Sequence, residues 1–158
     1  MPIKPENRAR YPKDWPDVRN RILERAHWRC QWPGCGVRHH AVGHWKQHHA
    51  GSWQFIPLAG NMHCDDAGWG HDLNTGTRLT WGAARDFVRA NKSAEPGLLV
   101  IVLTIAHLDH QPENCADYNL RAWCQRHHLA YDREHHQANA YRTRKDRACT
   151  ADIFEAAP

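Results

Sequence analysis

Two short stretches of the chain carry pairs of residues that bind metals. Cys30 and Cys35 are separated by "QWPG", and Cys124 and His127 are separated by two residues. Residues at these spacings can direct their side chains into one tetrahedral site, and Zn²⁺ prefers such a set of thiolates and imidazole. We therefore predict a structural zinc that joins the first part of the chain to its last third. The other cysteines have no such partner and are predicted to be bystanders; they are Cys64, Cys115 and Cys149.

A second set of polar residues lies in the same stretch, 103–128. His107 ends an aliphatic run that reads as a strand, Asn119 opens a returning strand, and His128 lies in the first turn of a following helix. A strand, a returning strand and a helix with a polar residue at each junction predict a compact ββα unit. Asp109 and His110 lie beside His107 and could also bind a metal.

The order of these residues resembles a known motif. "NLRAWCQRHH" is similar to the "NL…LC..CH" ending of the HNH endonucleases, which belong to the ββα-metal nuclease superfamily. "RAHWRCQWPGC" resembles the zinc knuckle that precedes that ending. The resemblance covers roughly residues 15–35 and 98–145.

The resemblance implies a role for each matching residue. His107 matches the general base that takes a proton from the attacking water, and Asn119 matches the residue whose side chain braces the loop between the strands. His128 matches a ligand of the catalytic divalent ion, which would be Mg²⁺ or another ion such as Mn²⁺ or Ni²⁺. His127 stands where the family usually has Cys, and imidazole preserves zinc binding.

The motif has one departure at the candidate ion site. Many HNH proteins carry Asp, Glu or His immediately before the base, and this chain has Ala106 there. Asp109 would lie on the same side as His107 if the strand persists, so it could supply the second ligand. His110 could do so less readily.

Periodicity predicts the elements that position these residues. We expect helices from about 16 to 27, from Trp81 to about Asn91 with Thr80 as cap, from near Gln125, and after Asp132. Strands are expected at 98–106 and 119–123, with a further short strand at "SWQFIPLA" in the insertion. The predicted fold class is α+β, with a small zinc-stabilised ββα-metal core, flanking basic helices and an irregular insertion. We expect one domain over 1–158, in which the core takes 15–35 and 98–148, the insertion 36–97, and a loosely held tail 149–158.

Composition and charge indicate the kind of partner. The mean hydropathy of −0.81 is low, so a metal should help to stabilise the core. Residues 1–29 hold eight Lys/Arg against four Asp/Glu, and residues 121–147 hold seven against three. These basic ends predict a polyanion partner, although two solvated helices would give the same counts. The predicted contacts to a DNA backbone are Arg142, Arg144, Lys145 and Arg147.

Two features of the sequence indicate the compartment. No apolar run is long enough to span a membrane, and residues 1–17 contain no hydrophobic segment typical of a signal peptide. Six cysteines without such a signal favour a reducing environment. We therefore expect a cytoplasmic protein.

The predicted insertion matches no part of the family pattern. His40, His44 and His48 would share one face of a helix, and "HCDDAGWGHD" could hold a further metal ion. An elaboration that packs over the core through its tryptophans is the preferred interpretation.

Three functions remain open from the sequence. The preferred one is an HNH endonuclease that hydrolyses phosphodiester bonds in DNA. The alternatives are a zinc-dependent DNA-binding module that lacks cleavage activity, with Ala106 as the sign of that loss, and a metal-storage or metal-sensing protein. The ordered motif favours the endonuclease, while its target, biological role and oligomeric state are not predicted.

Overall fold

The described part of the chain is mixed helix and sheet. The computed structural model describes residues 5–48, 51–58, 62–64, 70–72 and 80–148. Within these ranges it has four α-helices and small antiparallel sheets, which confirms the α+β class. The chain divides after Gln125 into two compact units, Met1–Gln125 and Arg126–Pro158. The predicted tail, 149–158, lies outside the described residues.

The first unit begins with two helical segments. A short 3-10 helix, Pro5–Arg10, precedes α1, Trp15–Arg25. Proline in the first turn suits a helix start, because its nitrogen has no hydrogen to leave unpaired. The helix ends two residues earlier than predicted, since His27 and Trp28 have positive φ angles of 49° and 55°. Its buried face, formed by Val18, Ile22 and Leu23, contacts the hairpin described below.

The region predicted to be irregular contains more strands than the one expected at "SWQFIPLA", where a strand, Trp53–Pro57, is found. These are β1 (Val42–Gln47), β2 (Trp53–Pro57), β3 (Met62–Cys64) and β4 (Gly70–Asp72), with β1 pairing to β2 and β3 to β4. His44 therefore lies on a strand, and the predicted helix face of three histidines is wrong. The proposed "HCDDAGWGHD" metal cluster depends on side chains outside the described residues.

The insertion packs through apolar side chains, most of them aliphatic. Helix α2, Trp81–Asn91, has the predicted bounds, and Thr80 Oγ1 accepts a hydrogen bond from the Ala83 amide at 3.3 Å. Trp53 and Trp81 are exposed, so the prediction that the insertion packs through its tryptophans is wrong for these two residues. The cluster beneath α2 consists of Val42, Ala84, Leu98 and Val100, with Leu58, Phe87 and Val88 packed against it.

The predicted strand at 98–106 is two strands in different sheets. β5, Leu99–Val100, pairs with β1, while β6, Leu103–His107, pairs with β7, Leu120–Cys124. Between them, the Ile101 amide donates to Ala41 O and the Val102 amide donates to the Gln125 side chain. The chain thus leaves one sheet and enters the next within two residues.

A buried imidazole supports the start of β6. The Leu103 amide donates a hydrogen bond to His39 Nδ1 at 2.9 Å, and the Trp28 ring stacks on His39 at 5.5 Å. Burial, assisted by the neighbouring His40, lowers the pKa of His39 to about 3. His39 is therefore a neutral acceptor that takes the place of a strand partner.

Helices end the described chain. α3, Gln125–Tyr131, follows β7 directly, and α4, Arg133–Ala148, follows one residue later. In chain order the elements from β6 to α3 are strand, strand and helix, as predicted. None of the helices in the described ranges is both long and apolar enough to cross a membrane.

Candidate metal centre and candidate active site

Four predicted metal ligands lie together. One ligand atom from each of Cys30, Cys35, Cys124 and His127 lies within 4.8 Å of every other. Cys30 and Cys124 are buried, whereas Cys35 and His127 are half-buried. The cluster is therefore close enough to bind one metal ion, and its three sulfurs and one imidazole are a donor set that suits zinc.

A turn that contains glycine carries the first two cysteines of the cluster, Cys30 and Cys35. Gly34 and Gly36 have positive φ angles of 76° and 58°, which glycine adopts without a steric cost, so the chain can reverse on either side of Cys35. Gln31 fixes this turn to β7, because its amide donates to Ala122 O at 2.9 Å and its side chain accepts from the Ala122 amide at 3.0 Å. The knuckle is thereby held beside Cys124.

The thiols of the cluster polarise one another. Hydrogen bonds from the Cys124 and Cys35 thiols lower the pKa of Cys30 to about 2, against the opposing effect of burial. The hydrogen bond with Cys124 lowers the pKa of Cys35. The hydrogen bond with Cys30 and burial together outweigh this effect, so the pKa of Cys35 is raised to about 11. Cys30 is thus favoured as a thiolate, the form that binds metals.

His107 lies at the end of β6 and is packed against aromatic rings. Only 8% of its surface is exposed. The Trp15 ring stacks on the imidazole with centroids 5.3 Å apart and planes 20° apart, and Tyr11 approaches edge-on at 5.9 Å. No pattern in the sequence indicates these contacts, because the spacing of aromatic residues around a helix start does not identify a partner 92 or more residues away.

The loop after β6 brings a thiol and an ion pair near His107. Cys115 Sγ lies 3.9 Å from His107 Nε2 and donates to Pro112 O at 3.3 Å. Burial raises the pKa of this thiol. Arg10 forms a two-pronged ion pair with Glu113, at 2.5 and 3.1 Å, and this hydrogen bonding lowers the pKa of Glu113. The N-terminal segment is therefore tied to the loop beside His107.

Asn119 connects both ends of this loop. Its side-chain nitrogen donates to Asp109 Oδ1 at 2.9 Å and to Asn114 O at 2.8 Å, and its oxygen accepts from the Asp109 amide at 3.1 Å. The residue is buried and ends a 3-10 turn, Asp117–Asn119, just before β7. Asn119 thus braces the loop between β6 and β7, while the role that the resemblance implies for it in catalysis stays a prediction.

Asp109 does not lie on a continuation of the β6 strand, which is the condition under which it is expected to supply the second metal ligand. β6 ends at His107, so Asp109 lies in the following turn and not on a continued strand. Its carboxylate accepts hydrogen bonds from the Gln111 amide at 2.9 Å, from Asn119, and from Asn114 Nδ2 at 2.6 Å. These bonds, led by that of Gln111, lower its pKa to about 2. The observed contacts give Asp109 a structural role, and its role as a metal ligand stays a prediction.

The remaining predicted residues lie in the second unit. His128 is on α3, and its Nε2 lies 3.1 Å from Asp132 Oδ2. Of the four predicted DNA contacts on α4, Arg142 and Arg144 are exposed and Lys145 is half-buried. The side chain of Arg147 lies outside the described residues.

The fold and the cluster define an α+β protein with a Cys₃His group that is close enough to bind a metal ion. No protein-family model, curated protein or solved structure matches the chain. The likeness to HNH endonucleases therefore rests on the motif residues alone.

Proposed function

We propose that this protein is a zinc-stabilised, HNH-type endonuclease that hydrolyses phosphodiester bonds in DNA with the help of a divalent ion. The observation that carries the proposal is the arrangement around the β6–β7 hairpin. His107 ends β6 opposite Leu120, and the neighbouring Asn119 side chain spans the intervening loop. A histidine on a rigid strand end, beside a braced loop, is suited to positioned proton transfer.

His107 is the proposed general base. A neutral imidazole near pH 7 can accept a proton from a water molecule that attacks phosphorus. The stacked Trp15 ring restricts rotation of the imidazole, so the accepting nitrogen keeps its direction. Asn119 fixes the path of the backbone that leaves His107, because it binds both Asp109 and Asn114.

The metal ligands have two different tasks in this proposal. Cys30, Cys35, Cys124 and His127 form a closed set for a structural zinc. His128 contributes to a separate, open ion site on α3. A divalent ion there would stabilise negative charge on the phosphate and on the leaving 3′ oxygen.

The basic last helix is the proposed contact to the DNA backbone. Arg142 and Arg144 are exposed on α4, where guanidinium groups can bind phosphate oxygens. Lys145 and Arg147 are proposed to add to the same surface. Backbone contacts of this kind give binding that depends strongly on salt and weakly on sequence.

The decisive test is cleavage of supercoiled plasmid by purified protein with its zinc content verified. The protein is dialysed free of other ions and given Mg²⁺, Mn²⁺ or Ni²⁺ separately. We expect cleavage with at least one ion and a loss of roughly 10²- to 10⁴-fold in rate for His107→Ala, the usual contribution of a positioned base. Equal cleavage by the parent and His107→Ala would contradict the proposal.

One observation favours a second candidate, a DNA-binding module without cleavage activity. His107 is nearly buried beneath Tyr11 and Trp15, and a base must reach its water. This candidate predicts salt-sensitive DNA binding by the same preparation and no cleavage with any of the three ions.

A further inference from the structure

The two aromatic rings that cover His107 are attached to the protein in different ways. Trp15 is the first residue of α1, whose buried face packs on the β6–β7 hairpin, and its ring stacks on the imidazole. Tyr11 precedes the helix, and its ring meets the imidazole edge-on at 5.9 Å and the Trp15 ring at 4.9 Å. One ring therefore belongs to a packed helix, and the other belongs to the segment before it.

The segment that carries Tyr11 has little buried surface. It consists of the 3-10 helix Pro5–Arg10 and Tyr11, and we call it the N-terminal strap. Of its side chains from 7 to 11, all of which the structure describes, none is buried, whereas residues 105–107 of β6 are buried. A segment with few buried apolar contacts opens locally at a lower free energy than a packed strand does. The N-terminal strap is therefore the part of the cover that opens most easily.

An ion pair on the surface joins the N-terminal strap to the loop after β6. Arg10 Nε and Nη2 donate to the two carboxylate oxygens of Glu113 at 2.5 and 3.1 Å. This two-pronged geometry fixes the direction of the contact. The exposed fractions of the two side chains are 45% and 53%, so water and salt screen the attraction between them. The ion pair is therefore directional but weak.

We propose that the N-terminal strap is a cover over His107 that the Arg10–Glu113 ion pair holds closed. In the closed state only 8% of the His107 surface is exposed. Opening moves the Tyr11 ring away and leaves the Trp15 ring stacked on the imidazole, so His107 gains access to water and keeps its orientation. The inference rests on the proposed function only for its consequence, which is that the closed strap keeps the general base from its water and is autoinhibitory.

Chemical modification of the imidazole measures the cover without any DNA. Diethyl pyrocarbonate is added at low salt, and the rate at each histidine is read by peptide mass spectrometry, with the exposed His135 as the internal reference. We expect His107 of the parent to react slowly. Its rate should rise roughly 2- to 5-fold in Arg10→Gln and in Glu113→Gln, the change in an opening equilibrium that an exposed ion pair produces. Tyr11→Ala removes the covering ring itself and should raise the rate at least as much.

The two variants of the ion pair separate opening from a direct effect of charge. Glu113 and His107 also interact through their charges. Arg10→Gln leaves the carboxylate beside the imidazole without its cation, whereas Glu113→Gln removes the carboxylate. An effect of charge alone would therefore move the two rates in opposite directions, and opening of the strap raises both.

A matched control and a change of salt complete the test. Arg8→Gln removes the same charge from the same short helix and leaves the Arg10–Glu113 ion pair in place, so it should react like the parent. Salt at 1 M should speed the modification of His107 in the parent and have little effect in Arg10→Gln, because the screened contact is already absent there. Thermal melting establishes that each variant is folded.

The outcomes distinguish this inference from the proposed function. Parent-like rates in Arg10→Gln and Glu113→Gln, opposite changes in the two, or an equal rise in Arg8→Gln would overturn the cover. Faster modification of His107 in both ion-pair variants, without cleavage of any DNA, contradicts only the nuclease. Cleavage that requires His107, with an unchanged rate of modification in both variants, contradicts only the cover.

Discussion

Removing the Asn119 side chain should destabilise the loop between β6 and β7. The residue is buried and makes three hydrogen bonds, two to Asp109 and one to Asn114 O. Each contributes about 1 kcal/mol net, so Asn119→Ala should lower the free energy of unfolding by about 3 kcal/mol. In a chain of 158 residues this corresponds to a fall in melting temperature of about 6–12 °C.

At neutral pH, Asn119→Asp should lower the free energy of unfolding more than Asn119→Ala does, because it brings two negative charges together. It replaces the amide nitrogen, 2.9 Å from Asp109 Oδ1, with a second carboxylate oxygen. In the parent, hydrogen bonds hold the pKa of Asp109 at about 2, below its ordinary value of 3.8, so their stabilisation is present above pH 3.8 and lost as the pH falls toward 2. In Asn119→Asp the paired carboxylates should take up a proton more readily, so its deficit relative to the parent should shrink between pH 7 and 4.

Urea unfolding at several pH values measures these differences. Asn20→Ala is the control, because Asn20 is exposed on α1 and its side chain accepts only a long, 3.5 Å hydrogen bond from the neighbouring Arg19; we expect it to lie within about 0.5 kcal/mol of the parent. The reasoning is refuted if Asn119→Ala unfolds with the parent's midpoint, or if the deficit of Asn119→Asp grows as the pH is lowered from 7 to 4.

Three further changes test other parts of the molecule. Cys124→Ser should lose the zinc and melt well below the parent, because metal binding at a structural site contributes to folding. Unchanged zinc content by elemental analysis and an unchanged melting temperature by calorimetry would contradict this. Replacing Arg142 and Arg144 with Gln should weaken binding equally for all DNA sequences and reduce the slope of log affinity against log salt concentration by up to about 2. An unchanged slope would show that α4 does not contact the DNA backbone. Trp15→Ala should cost about 2 kcal/mol through lost burial and stacking, whereas Trp15→Phe should recover most of it; equal melting of the two variants would show that the stack on His107 contributes little.

Local patterns made part of the fold and site predictable. The Cys30–Cys35 and Cys124–His127 spacings describe geometry within a turn, and two such pairs are enough to anticipate one cluster. Thr80 is predictable as a helix cap because its hydroxyl can reach an amide three residues on, and that hydrogen bond is present.

The missed features depend on contacts between distant residues. The aliphatic run at 98–106 shows no sign that it changes sheets after Val100, because a continuous apolar stretch has no period to interrupt. The histidines near residue 44 fit a helix and a strand equally until the pairing of β1 with β2 is known. Cys115 has no partner at a metal-binding spacing in the sequence and is predicted to be a bystander, yet its sulfur lies beside His107.

The hairpin places the metal cluster and the candidate base at opposite ends of one ladder. Cys124 pairs with Leu103 at one end, and His107 pairs with Leu120 at the other. Side chains alternate between the two faces of a strand, so a slip of β7 by one residue would turn Cys124 away from the other ligands and would place a different residue opposite His107. A metal ion that holds Cys124 would forbid that slip of β7, and would therefore fix the residue that pairs with His107 about 13 Å away along the hairpin without touching it.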